Sequence, residues 1–288
     1  MKESIRSIPL LGFLGTLKYY LFVESYYRML AKFGKEVGVT KEKRDPPVIV
    51  SLTTIPERLA KVSLCIESLL RQSLKPDYLI LWISEADAAI PPGLEHLTRR
   101  GMDIKYCKDI RSYKKIIYTL REFSDSVIVT ADDDLFYPRH WLKDLYDAYQ
   151  REPTTIHCHR AHLMAKGDDG ELKAYEDWKY GSPGILGPSK LLFPTGAGGV
   201  LYPPGSLDRE VLNEQVFMSI CPTSDDTWLK AMSLLRGVAC KKVRPYQEEF
   251  TQIKGTQTKA LWKENVLNKK NDEQIKAVFE RYGLLRLL

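Results

Sequence analysis

Paired cysteines are missing from this chain. Cys65, Cys107, Cys158, Cys221 and Cys240 are odd in number, widely spaced and never arranged as C-x-x-C. That argues against a disulfide framework or a cysteine-ligated structural zinc site, and for a reducing compartment. No uninterrupted apolar run reaches the roughly 20 residues that a membrane-crossing helix needs. The longest candidate, Ile8 to Val23, is broken by Lys18, and no small-x-small cleavage site comes after it. There is no Gly-Lys-Ser/Thr phosphate loop, no G-x-G-x-x-G, no internal repeat and no long basic stripe, so P-loop, dinucleotide-binding and nucleic-acid readings have no support.

The chain does have an ordinary globular composition, 44% apolar and 28% charged over 288 residues, enough to bury a substantial core. The net charge of +6 is mild and suits an anionic ligand or an anionic surface. Residues 1–45 carry nine basic and five acidic side chains. Two readings of this extension are open: a basic amphipathic helix on an anionic membrane, or a helix packed on the main domain. The charged, Pro-ended stretch Lys41 to Pro47 separates the extension from the main domain.

Beyond Pro47 the pattern alternates. Val48–Leu52, Tyr78–Ile83, Ile104–Cys107 and Val127–Thr130 read as strands. A helix is expected from Pro56 through Leu70, with Leu59, Val62, Ile66 and Leu69 on one face, and others over Tyr113–Phe123, Trp141–Gln150 and Asp225–Leu235. Thr155–His159 and Val238–Val243 are further strands, Gly181–Pro188 is a loop, and the tail from Thr258 is helical and basic. Strand–helix alternation at these spacings predicts an α/β fold with a mostly parallel sheet. Three parts are expected: a helical extension over 1–45, a catalytic domain over 46–250 and a basic tail over 251–288.

In open parallel sheets ligands bind beyond the carboxyl ends of the strands. That rule selects Ala131-Asp132-Asp133-Asp134, directly after Val127–Thr130. Neighbouring carboxylates repel, and a hard divalent cation is the simplest compensation. Asp132 and Asp134, two apart, share a side in extended chain; a solvated acidic turn is the alternative. A second pair, Asp225-Asp226 after Ser224, is either a helix cap or a source of a general base. Gly196, Gly198 and Gly199 allow close backbone approach to a ligand or simply make a turn. Lys114 and Lys115 offer positive charge to a leaving group or form a solvated helix face. His157, His159 and His162 suggest either a metal site or strand residues lining the core. Trp178 is placed to stack on a sugar ring or to pack inside.

The order SLTTIPERL, QSLKPDYLILWIS, VIVTADDD, GGVLYPP and an acidic pair opening a helix resembles the GT-A glycosyltransferases, particularly bacterial enzymes of surface-polysaccharide (capsule and lipopolysaccharide) assembly, over residues 47–245. The resemblance implies a GT-A sheet with helices on both faces. It also implies Mn²⁺ or Mg²⁺ on Asp132 and Asp134, and a nucleotide-sugar donor near Thr53, Thr54, Pro56, Arg58, Lys114, Asp132 and Asp133. It further implies an acceptor side at Gly198, Gly199, Trp178 and Trp228, and Asp226, or else Asp225, as the base of an inverting transfer. The acceptor would be a saccharide or glycolipid hydroxyl, no nucleic acid would take part, and the enzyme would be cytoplasmic, peripheral on the inner face of the cell membrane. A haloacid-dehalogenase-type phosphohydrolase also uses D-x-D after a strand, but on its first strand. A non-catalytic nucleotide-sugar binder, with Asp225-Asp226 as a cap, is the third class.

Overall fold

The computed structural model describes residues 10–87, 92–256 and 270–288, with side chains omitted for 10–20 and 92–93. Residues 1–9 of the expected extension and 257–269 of the expected tail lie outside the described residues.

The chain runs α1 (Leu10–Phe33), β1 (Val48–Thr53), α2 (Pro56–Leu59), α3 (Val62–Leu70), β2 (Tyr78–Ser84), α4 (Pro92–Thr98), β3 (Met102–Cys107), α5 (Lys114–Glu122) and β4 (Val127–Ala131). It continues through β5 (Leu135–Phe136), α6 (Trp141–Arg151), β6 (Ile156–Cys158), β7 (Ala161–Leu163), β8 (Leu192–Pro194), β9 (Val200–Tyr202), α7 (Glu214–Ile220), α8 (Asp225–Leu235), β10 (Cys240–Lys242), β11 (Thr251–Gln252) and α9 (Lys270–Tyr282). The seven-stranded sheet has the order β10-β6-β9-β4-β1-β2-β3. β1 pairs in parallel with β2 and β4, β2 with β3, and β6 with β10, while β9 runs antiparallel between β4 and β6. This is the expected α/β architecture, mostly parallel with helices on both faces.

The β-branched runs of β1 and β4 are buried because both sides of each strand are covered. Val48, Val50 and Leu52 join Val127 and Val129 in one core with α3, α4 and α6, and Ile49, Ile80 and Trp82 pack on the other face. On that face Ser51 donates to the Lys115 carbonyl of α5, at 2.5 Å. The single helix expected from Pro56 to Leu70 is broken. Arg58 and Lys61 N–H groups donate three residues back, to Ile55 and Arg58, so the first turn is tight and ends before α3 begins.

α1 lies on α3 and α4. Its Val23 and Tyr27 reach the core, and Tyr27 stacks on Phe136 at 4.6 Å between ring centroids. Beneath it Arg100 holds the fully buried Glu67 through both carboxylate oxygens and donates Nε–H to the Glu36 carbonyl. At the other end of the chain β11 pairs with β5, and Gln274 of α9 bonds Thr223 at the start of α8. Among the described residues no helix is long and apolar enough to cross a membrane.

Candidate active site

Three segments meet beyond the carboxyl end of β4: the Asp132–Asp134 loop, the Gly196–Gly199 turn ahead of β9, and the first turn of α8. Register explains the meeting. β9 lies directly against β4, with Thr130 opposite Val200, so the turn before β9 sits beside the loop after β4. At Gly199 φ is +86°, and a Cβ there would stand 2.5 Å from the Trp141 ring, so the turn requires glycine. The Trp141 indole N–H donates to the Gly198 carbonyl at 2.7 Å and holds the turn from behind.

Asp133 points inward. Its carboxylate accepts from Thr54 Oγ1 and Arg58 Nη1, both at 2.6 Å. Burial pushes the Asp133 pKa up, and Arg58 and Thr54 offset part of that rise. Arg58 also reaches Asp134 Oδ2 at 3.1 Å and donates Nε–H to the Thr256 carbonyl. Asp132 and Asp134 remain partly open to solvent on either side of the buried Asp133. The loop backbone is fixed as well: the Asp132 N–H donates to Tyr137 Oη at 2.7 Å, and the Asp134 carbonyl accepts from Ile253 just after β11.

Lys115 joins the two acidic groups. Its buried ammonium stands 2.8 Å from Asp132 Oδ1 and 3.3 Å from Asp225 Oδ2. Burial alone lowers a lysine pKa, but Asp132, Asp225 and Asp226 outweigh it and hold the group well above the ordinary value. Asp225 also accepts from Ser112 Oγ at 2.8 Å. Asp226 accepts from the Gly196 N–H, at 3.0 Å to one oxygen and 3.2 Å to the other. Desolvation first, and then the Asp225 charge, push the Asp226 pKa up to about 7. A Cβ on Gly196 would lie 3.2 Å from Lys115 Nζ and 3.4 Å from both Asp132 Oδ1 and Asp226 Oδ1, so the missing side chain leaves these three groups around one space. Neither aspartate caps α8. Ser224 is the N-cap residue, and its hydroxyl bonds Thr227 Oγ1 rather than a helix N–H.

Other expected residues fall elsewhere. Thr53 Oγ1 donates to the Trp82 carbonyl, and Pro56 opens α2 on the surface. Lys114 turns to Asp109 at 2.8 Å, because one residue along a helix is a rotation of about 100°; Lys115 takes the site position. Trp178 and Trp228 are buried, their indole N–H groups given to the Lys173 and Val211 carbonyls and their rings packed on Phe193 and Phe217, so neither presents an open face to an acceptor. The three histidines are split: His157 bonds the Glu152 carbonyl, His162 accepts from the Gly181 N–H, and only His159 faces other metal-ligating side chains. Ser112 and the 253–256 backbone carry no motif, and contact alone brings them to the site.

No family model and no curated protein matches the sequence. Among solved structures the chain is similar to a mannosyltransferase from Pyrobaculum calidifontis, described in complex with GDP-Man and Mn²⁺, with 14% identity, a TM-score of 0.48, and coverage of 95% of this chain and 79% of that one. A likeness that loose carries no residue, substrate or metal across to this chain.

Proposed function

We propose that the chain is an inverting, metal-dependent glycosyltransferase that moves a sugar from a nucleotide-diphosphate donor to a saccharide or glycolipid hydroxyl in polysaccharide biosynthesis. One observation carries the reading: Asp132 of the D-x-D loop and Asp226 of the second acidic pair lie equally close to the open position at Gly196, with Lys115 beside them.

Charge supports the cation. Five carboxylates, Asp132 to Asp134 with Asp225 and Asp226, gather here, and Lys115 and Arg58 pair with Asp132, Asp133, Asp134 and Asp225. A diphosphate entering such a site needs further positive charge. The donor set is all oxygen and partly open, which fits a hard dication that keeps positions for phosphate oxygens, with Asp132 and Asp134 as its protein ligands. When bound, that ion would neutralise the departing diphosphate as a Lewis acid.

The remaining chemistry belongs to the chain. Arg58, locked by Asp133, stiffens the loop, and the Lys115 ammonium faces the leaving group. The acceptor hydroxyl gives its proton to an Asp226 oxygen as its own oxygen bonds to the anomeric carbon. The bond from that carbon to the diphosphate oxygen breaks, and the nucleoside diphosphate leaves with the electron pair. A carboxylate whose pKa lies near 7 is well matched to this transfer.

The proposal extends to an anionic membrane surface. Phe22, Tyr26, Met29 and Phe33 recur at helical spacing on α1 and are 74%, 39%, 52% and 67% exposed, whereas Val23 and Tyr27 face the protein. Lys32 lies beside this stripe, Arg28 is beside it in a pair with Glu24, and Lys35 follows the helix, which suits an interfacial helix on anionic lipid. Peripheral attachment on the inner face of the cell membrane agrees with five unpaired, buried cysteines.

The test is a thermal-shift and turnover screen of UDP-, GDP-, CMP- and dTDP-sugars with and without Mn²⁺. Metal-dependent stabilisation by one donor, with release of its nucleotide on adding acceptor, is expected. Release of inorganic phosphate would favour a phosphohydrolase, and binding without turnover a non-catalytic binder.

A further inference from the structure

Behind the Gly196–Gly199 turn, on the far side of Trp141, lies a second group of ligand-type side chains. His140 precedes α6, Asp144 sits in its first turn, and Glu248 lies between β10 and β11. One ligand atom from each falls within 4.8 Å of the others. His140 Nε2 is 3.0 Å from Glu248 Oε1 and 3.9 Å from Asp144 Oδ2.

An independent observation comes from His159, only 1% exposed, just past the end of β6. Its Nε2 is 3.0 Å from the Trp141 carbonyl. A carbonyl only accepts, so Nε2 carries the hydrogen and a neutral ring presents a lone pair at Nδ1. Nδ1 is 3.8 Å from Glu248 Oε2, and both atoms are buried without a hydrogen-bond partner. Two electron-pair donors facing each other in the interior leave a place that a bound cation would fill.

We propose that His140, Asp144 and Glu248, with His159 facing the second oxygen of Glu248, form a site for a dication of the Zn²⁺ type, distinct from the Asp132–Asp134 loop. His140 Nε2 and His159 Nδ1 face different oxygens of Glu248, at 3.0 and 3.8 Å, and the ligand atoms of His140, Asp144 and Glu248 lie within 4.8 Å of one another, so small side-chain shifts would bring them around an ion with bonds of about 2.0–2.1 Å. Mixed nitrogen and carboxylate ligands suit Zn²⁺, whereas the all-oxygen loop suits Mn²⁺ or Mg²⁺. The outer contacts are those such a site uses. His159 gives its other ring N–H to a carbonyl, and Arg244 Nη2 bonds Asp144 Oδ2 at 2.6 Å, steadying that carboxylate and offsetting its charge. The ion would tie the segment around Glu248 to α6 and β6. That segment leads into β11 and Ile253, which bonds the Asp134 carbonyl, so the ion would also steady the Asp132–Asp134 loop from behind.

The experiment titrates the chelator-treated full chain with Zn²⁺ by calorimetry and records the Co²⁺ absorption spectrum. One Zn²⁺ per chain and a tetrahedral Co²⁺ spectrum are expected in the wild type and in Asp134→Asn. His140→Ala and Glu248→Gln should weaken Zn²⁺ by more than about 100-fold, and Arg244→Gln by roughly 10–100-fold, the usual effect of losing an outer-shell partner. Absence of stoichiometric Zn²⁺ binding or an octahedral Co²⁺ spectrum in the wild type overturns the site, whatever the folding of the variants. So does loss of Zn²⁺ binding in Asp134→Asn, or its persistence in both His140→Ala and Glu248→Gln. None of these readouts depends on glycosyl transfer.

Discussion

The Gly196 N–H is aimed between the two carboxylate oxygens of Asp226, 3.0 and 3.2 Å away. A single backbone donor orients this carboxylate without neutralising it. Asp226 thus stays desolvated beside Asp225, which is why its proton is held up to about pH 7.

Asp226→Asn should preserve donor affinity and reduce transfer by roughly 10²–10⁴-fold, the usual worth of a general base. Linkage gives the sign of its stability effect. A carboxyl whose folded pKa is raised binds its proton more tightly in the native state, so native stability falls as pH rises from about 4 toward 7. Asparagine removes that loss, and the variant should melt higher than wild type at pH 8. The check is turnover, donor affinity and melting temperature on the same samples; near-normal turnover moves the base to Asp225.

The same proton sets the rate profile. Transfer needs ionised Asp226, so kcat should climb with pH through about 7 and then level off. A kcat flat between pH 5.5 and 8.5 would falsify the base assignment.

Lys115→Met leaves Asp132 and Asp225 without their shared cation. Removing one partner from a buried ion pair costs about 3–5 kcal/mol, and donor affinity should fall with it. Lys114→Met should cost much less, because its partner Asp109 is 58% exposed. Chemical denaturation of both variants measures the difference, and equal losses would contradict the assignment of Lys115 to the site.

Asp134→Asn should abolish metal-dependent turnover while the sheet remains intact, because the side chain lies on a partly open loop beyond β4. Undiminished transfer by chelator-treated wild-type protein would remove the metal from the reaction.

Phe22→Ser with Phe33→Ser should lower binding to anionic vesicles at low salt without changing the melting temperature, since both rings face solvent. Equal sedimentation with vesicles by the variant and the wild type would end the membrane reading. Added salt should weaken wild-type binding as the attraction is screened over about 8 Å at physiological strength.

Much of this protein is set by local chemistry. Val48–Thr53 and Val127–Ala131 are β-branched runs that only a doubly covered strand satisfies, and α8 spans the Asp225–Leu235 stretch its pattern marks. The Asp132–Asp134 cluster is conspicuous because three adjacent carboxylates at a strand end demand compensation. Periodicity is less decisive where a helix is interrupted: the apolar spacing runs on through Ala60 and Lys61, but three-residue hydrogen bonds break the helix there. Composition and spacing leave undecided which residues become partners over long separations. Lys114 and Lys115 are indistinguishable in sequence, and the rotation of α5 against β1 and β4 decides which one meets Asp132. Trp178 and Trp228 are equally suited to a sugar or a core, and packing assigns them to the core. Asp226 meets Gly196 across 30 residues, and His159 meets Glu248 across a still longer stretch, only because β9 lies antiparallel between β4 and β6 and folds the later segments back onto the earlier strand ends. Residue type sets which chemistry is available to each segment, while the sheet order decides which charges share a desolvated space and therefore which protons are held.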